Sequence, residues 1–302
     1  MNIPSKITNE QVHLFSEIFK GRVDVYAQRW EKGNKSGYMP AYDYDLYLYR
    51  LHKKKGGTFK SYKDKFYKKL TANTLKSHLE GDYFLGIYPL LRNNHSWFIV
   101  ADFDKGNWQT ESLQFIRICA EYGLKAYLER SRSGNGGHVW MFFNEPYLAQ
   151  KSRRIFLELL IKSNGASVFD KGTSFDRFFP NQDTLSGKGL GNLIALPLNK
   201  DSLQNGNNCF LDTHTLRPFP DQWKFLETVE RIGHNNLDVV YHQLIDSSVN
   251  SGPNKSSQLE IRLTGKLVIN KSAIPSALVN FLKEALHFPN EEFFVRQNMG
   301  KM

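Results

Sequence analysis

Asp102 and Asp104 close the apolar run WFIVADFD. On a strand, side chains two residues apart point to the same face, so both carboxylates can converge on one divalent cation while Phe103 turns into the core. A second chemical element is ERSRSGNGGHVW, from Glu129 to Trp140. Here a strand delivers Ser133, and Gly134, Gly136 and Gly137 allow a sharp turn around Asn135 whose amides can approach an anion. The next strand then opens at His138. Arg130 and Arg132 add fixed positive charge suited to a triphosphate arriving with metal. The third element, Ser174 to Pro197, offers two further acids, Asp176 and Asp183, ahead of the apolar strand GNLIALPL, which should join the same sheet. A third carboxylate facing Asp102 and Asp104 would let two metal ions be bridged, one activating a hydroxyl and one holding leaving phosphates.

The elements that must position these groups follow from patterning. The order from residue 96 is strand, helix (TESLQFIRICAEYGL), strand (KAYLERS), strand (HVWMFF), then a helix over 149–162. Such an order builds an α/β sheet with helices on one face. Upstream, Thr8 and Gln11 form a capping box before a helix with Val12, Phe15, Ile18 and Phe19 on one face. GRVDVYAQRW alternates like a strand, and Arg22 and Arg29 within it could meet phosphate or pair with Asp24. Residues 247–258, rich in Ser, Asn, Gly and Pro, read as a linker to a small appendage over 259–302.

Composition narrows the partners. The 302 residues carry 40 Lys+Arg against 30 Asp+Glu, a formal charge of +10, which suits a polyanionic partner. Two cysteines cannot make a four-ligand zinc cluster, so carboxylates should hold any metal and no zinc is expected. No apolar run approaches the ~20 residues of a membrane span, and the expected location is the cytoplasm. The insertion at 52–69 packs eight lysines around a single acid, Asp64, with Phe59, Tyr62, Phe66 and Tyr67 interleaved. Lys53, Lys54, Lys55, Lys60, Lys63 and Lys65 are the candidates to hold a nucleic-acid backbone, and a solvated insertion is the alternative.

Together the three elements resemble the archaeo-eukaryotic primase superfamily of primase-polymerases, through VADFD, SGNGGH and QDTLSGKGLGNLIALP. The strings GRVDVYAQRW, ERSRSGNGGHVWMFF, FDRFFPNQD, GNLIALPL, FPDQW and FPNEEFF extend the likeness over nearly the whole chain. They bring it nearest to the primase domain of TOTE conflict systems and to CRISPR-associated primase-polymerases. The resemblance implies an RRM-like catalytic sheet over 91–246, with an N-terminal α/β module over 1–90 forming a cleft against it. It also implies template-directed nucleotidyl transfer with two Mg²⁺ or Mn²⁺ ions, on a single-stranded or primed DNA template with NTP or dNTP, and a helicase module following FPNEEFF. Because an Asp precedes an L-I-x-L-P strand in archaeal primases, it favours Asp183 over Asp176 as the third ligand beside Asp102 and Asp104. Ser133, Gly134, Asn135 and His138 would bind nucleotide. The turn is one residue shorter than the archaeal Ser-Gly-Arg-Arg-Gly turn and lacks its basic residues, so Arg130, Arg132 or Lys188 would supply the cation.

Two other functions share part of this pattern. Metal-dependent glycosyltransferases also use Asp-x-Asp but give no role to a third Asp, to SGNGGH or to the lysines. A catalytically inactive single-stranded nucleic-acid-binding module would have no reason to keep the acids and His138 together.

Overall fold

Phe98, Ile99, Val100 and Ala101 are all fully buried, so the strand that ends in Asp-Phe-Asp is covered on both faces along most of its length. The computed structural model describes residues 2–164, 173–187 and 189–246. Lys188, the linker at 247–258 and the appendage at 259–302 lie outside the described residues. Two sheets and a small hairpin organise the rest.

The N-terminal part holds α1 (Asn9–Ile18), β1 (Ala27–Lys32), β2 (Lys35–Pro40), β3 (Tyr42–Tyr44), α2 (Leu46–Lys54), β4 (Lys65–Tyr67), α3 (Ala72–Glu80) and β5 (Leu85–Ile87). Both halves of the capping box at the start of α1 are formed: Thr8 Oγ1 accepts from the Gln11 N–H, and Gln11 Oε1 accepts from the Thr8 N–H. The C-terminal part runs β6 (His95–Asp104), α4 (Trp108–Glu121), β7 (Tyr127–Arg130), β8 (Gly136–Leu148), α5 (Ala149–Asn164) and β9 (Phe175–Phe179). It continues through β10 (Ile194–Ala195), α6 (Lys200–Gln204), β11 (Cys209–Phe210), α7 (Gln222–Glu227) and α8 (His234–Tyr241). The larger sheet has the order β11-β7-β8-β6-β9, and every pairing in it is antiparallel. Strand, helix, strand, strand, helix, strand in this order is the split β-α-β-β-α-β arrangement, so the fold is mixed α/β with an RRM-like sheet.

The pleat divides that sheet cleanly. Phe103 packs on Phe115 of α4, which meets Phe156 of α5, so the odd-numbered face of β6 lies against these two helices. Phe98, Trp140 and Phe142 share the other face, and Phe19 at the end of α1 packs edge-on against Trp140 and Phe142. Asp102, Asp104 and His138 occupy that same face beyond the point where α1 covers it.

The smaller sheet runs β10-β5-β1-β2. Its strand β10 comes from the GNLIALPL run, which was expected in the catalytic sheet. Ile194 and Ala195 instead pair with Ile87 and Gly86 of β5, tying the C-terminal part to the N-terminal module. The place expected for that strand is taken by β9, which carries the FDRFF sequence.

His78 locks this junction. Its Nε2 donates to the Pro197 carbonyl at 2.9 Å, its Nδ1 accepts from the Leu85 N–H at 3.2 Å, and it is fully buried. Burial holds the imidazole down at about 4, against the lift of its backbone hydrogen bonds. The unfolded chain would protonate His78 near pH 6.5, so its contribution is complete above about 6.5 and is lost as pH falls towards 4. A tenfold difference in proton affinity between the folded and unfolded states is worth about 1.4 kcal/mol. Unfolding free energies from urea titrations at pH 7 and pH 4.5 should therefore differ by ~2 kcal/mol more in the parent than in a His78→Gln variant.

Candidate active site

Asp102 faces His138 across the β6–β8 ladder, and Asp104 faces Gly136. The turn between β7 and β8 is shaped for this approach. Gly134 takes a left-handed φ of 78°, and a Cβ on Gly136 would stand 2.6 Å from both Asp104 Oδ1 and the Phe103 carbonyl. Lys105 hooks the end of β6 onto this turn by donating its N–H to the Asn135 carbonyl at 2.9 Å. Asp104, Lys105, Trp108, Ser133, Gly134 and Asn135 line a cleft of about 490 Å³. Ser133 Oγ lies 3.1 Å from Ser131 Oγ and accepts the Asn135 N–H.

His138 is held from behind. Its Nδ1 donates to Glu129 Oε2 at 2.9 Å, leaving Nε2 3.6 Å from Asp102 Oδ1. Glu129 is fully buried and also accepts from Trp140 Nε1 at 2.8 Å and Asn208 Nδ2 at 2.9 Å. Burial would push the His138 imidazole down, but the charge and hydrogen bond of Glu129, with Asp102 and Asp104, hold it up at about 9. The ring is a cation with one N–H committed to Glu129 and the other turned towards the acids. Sequence reading missed Glu129; its signal is its position opposite His138 across the β7–β8 pair.

The third carboxylate beside Asp102 is Asp176. In β9, Arg177 opposes Asp102 and Phe175 opposes Phe103, so Asp176 is the extra residue of a bulge at the level of Asp102, and its carboxylate accepts from Arg177 Nε at 2.7 Å. Ser174 anchors the strand just before it. Its carbonyl accepts the Asp104 N–H at 2.6 Å, while its own N–H and hydroxyl both reach Glu111 of α4. Burial, with the neighbouring charges of Asp104 and Asp176, raises the Asp102 carboxyl to about 6 against the pull of His138 and Arg177.

Asp183, the residue preferred from sequence, has a different setting. It is buried and takes a hydrogen-bonded ion pair from Arg153 of α5 at 2.5 Å. Because β9 runs antiparallel to β6, the chain beyond Phe179 travels back towards the start of β6. There the Leu185 N–H bonds Asn94 Oδ1. The ten residues of β6 span roughly 30 Å at about 3.3 Å each, and Asp183 lies towards the end away from Asp102.

The predicted cations divide similarly. Arg130 donates to the carbonyls of Gly206 and Leu216 and so ties two loops together. Arg132 sits 5.9 Å over the Phe84 ring, between the turn and the N-terminal sheet. Arg22 makes a two-point bond to Asp24, which also takes Arg92, and Arg29 bonds Glu31. The lysines Lys53, Lys54, Lys55, Lys60 and Lys63 are exposed. Lys65 is not available to a backbone phosphate, because its Nζ caps the carbonyls of Phe59 and Tyr62, both at 2.5 Å. Lys105 is a cleft-lining cation the sequence reading passed over.

Among known families, the sequence matches the TOTE conflict system, Archaeo-Eukaryotic Primase domain, over residues 10–240. The chain belongs to this primase family. A solved structure, the polymerase domain of Mycobacterium tuberculosis ligase D in complex with DNA, matches at 13% identity with a TM-score of 0.30, over 78% of this chain and 86% of that one. No curated protein matches the chain. In this primase domain no described helix is long and apolar enough to cross a membrane.

The acids of the primase site suit a divalent cation. All are hard oxygen donors, and the Asp102 carboxyl is lifted mainly by its burial. Among the described residues no three His, Cys, Asp or Glu side chains are drawn tightly enough to hold a metal unaided.

Proposed function

We propose that the chain is a primase-polymerase that performs template-directed nucleotidyl transfer on single-stranded or primed DNA. The carrying observation is the pair Asp102 and Asp104 on one face of β6, with Asp176 on the neighbouring β9 bulge, beside a His138 whose Nδ1 is committed to Glu129. In the reaction a 3′-hydroxyl attacks the α-phosphate of an incoming nucleotide, a new P–O bond forms, and pyrophosphate leaves. When bound on Asp102, Asp104 and Asp176, two Mg²⁺ or Mn²⁺ ions supply a lowered pKa to the attacking hydroxyl and counter-charge to the leaving group.

The chain's own groups do the rest. His138 donates from Nε2 to a phosphate oxygen, and it serves as a donor rather than a general base because the Glu129 charge and hydrogen bond favour its doubly protonated form. Ser133, Asn135 and the amides of the glycine turn, with Lys105, orient the phosphates in the cleft between β6 and the turn. Arg132 spans from the turn to the N-terminal sheet, which closes the other side.

The test is incorporation of labelled NTP or dNTP on single-stranded DNA, with and without primer, in Mg²⁺ and in Mn²⁺. Metal-dependent product should appear with the parent and vanish with Asp102→Ala/Asp104→Ala, while DNA affinity stays near the parent's. Substantial synthesis by the double variant would refute the site, and DNA binding without synthesis by the parent would favour an inactive binding module.

A further inference from the structure

The β1–β2 hairpin has two faces with different neighbours. Arg29 and Tyr38 are register partners, and their face looks towards the catalytic turn, where Arg132 acts on the buried Tyr38 hydroxyl. Gln28 and Met39 are the next partners, and with Trp30 they share the opposite face. Against that face stand Tyr42 of β3, Tyr49 of α2 and, from the basic insertion, Phe59 and Lys68, enclosing a groove of about 380 Å³. Trp30 and Met39 are each 40% exposed there, although both sit in a strand where apolar side chains ordinarily turn inward.

We infer that this groove takes an unpaired base of the single strand on which the enzyme acts, stacked on Trp30 and the insertion's rings. The adjoining phosphates would lie along Lys68 and the exposed lysines of the insertion. The inference rests on the polymerase reading above and extends it to a template-strand subsite outside the catalytic cleft. Charge selects this occupant over an apolar peptide: Lys68 lines the groove, and the insertion that supplies it carries eight lysines to one acid, Asp64. Stacking on aromatic faces between cations is how single strands are held without reading sequence. The chain needs only to pass the hairpin to go from one of its faces to the other, so one strand could serve both sites. Phe66 and Tyr67 of β4, 74% and 44% exposed, continue the same basic and aromatic surface.

The experiment uses the full chain and a labelled mixed-sequence 16-mer of single-stranded DNA, read by fluorescence anisotropy. Trp30→Ala should bind about ten-fold more weakly, the size of one lost base–aromatic stack, and Trp30→Phe should retain most of the affinity. Lys68→Gln should flatten the slope of log affinity against log salt by about 0.7, the share of one phosphate contact on a single strand. A series of oligonucleotides with one abasic residue, stepped along a primed template overhang, gives a readout that misfolding cannot imitate. At one register the parent should lose about ten-fold, and Trp30→Ala should lose nothing further there.

An abasic series flat in the parent would overturn the inference, as would equal affinity for parent and Trp30→Ala. A change of oligomeric state in Trp30→Ala without a change in DNA affinity would assign the face to a second copy of the chain and also overturn it. Primer extension by the parent is measured separately. Its absence would defeat the polymerase reading even where the abasic signature appears, and its presence beside a flat series would defeat the groove alone.

Discussion

Asp176→Asn should abolish nucleotide incorporation, while Asp183→Ala should leave the turnover of folded enzyme close to the parent's. Asp176 stands on the β9 bulge beside Asp102, where its charge already raises the Asp102 carboxyl. Removing it deletes an oxygen ligand from the proposed metal site. Even groups that only support a metal ligand are worth 10–100-fold, so a loss of at least about 100-fold in primer extension is the minimum. DNA affinity should hold, because the lysines and the hairpin are untouched.

Asp183 predicts the opposite profile. Its carboxylate and the Arg153 guanidinium are 10% and 5% exposed, and the truncation removes a buried carboxylate that pairs with this cation. Breaking such a pair by removing one partner costs ~3 kcal/mol or more, so the thermal midpoint should fall by several degrees. Extension assayed below that midpoint, titrated against Mg²⁺ and Mn²⁺, separates the two outcomes. A dead, stable Asp183 variant beside an active Asp176 variant would reverse the assignment.

Why Asp183 looked better from sequence can be stated in terms of the fold. Asp102, Phe103 and Asp104 were legible because a period of two needs no knowledge of neighbours, and the structure puts Phe103 in the core as alternation requires. The helix at residues 9–18 and the β-α-β-β-α order were legible for the same reason, since capping and periodicity are local. Asp176 was not, because a bulge is a property of a pair of strands: FDRFF reads as an ordinary alternating strand until its register with β6 is known. The likeness of GNLIALPL to the archaeal L-I-x-L-P strand favoured Asp183, yet within that run only Ile194 and Ala195 pair, and they pair with β5. Arg130 and Lys65 show a similar limit. Charge in the sequence says nothing about whether a backbone carbonyl has already taken the donor, as the carbonyls of Gly206, Leu216, Phe59 and Tyr62 do here.

Glu129→Gln should cripple the site through His138 without touching the acids. Glu129 is a positioning residue: Oε2 accepts from His138 and Trp140, and Oε1 accepts from Asn208, all within a fully buried pocket. An amide has one oxygen and one NH₂ group. If its nitrogen takes the place of Oε2, His138 and Trp140 both meet a donor; if it takes the place of Oε1, Asn208 does. Asn208 cannot simply rotate, since its Oδ1 accepts the Asn199 N–H at 2.9 Å. Each stranded buried N–H costs about 1–3 kcal/mol, and His138 loses the charge that favours its cationic form. The expected loss in kcat/KM is about 10–100-fold, as for other supports of a site ligand. A structural lesion alone would also slow the enzyme, so the decisive measurement is a double-mutant cycle with His138→Ala. If Glu129 acts through the imidazole, Glu129→Gln should cost little once His138 is gone. Independent, additive losses would instead make Glu129 only a support for Trp140 and Asn208.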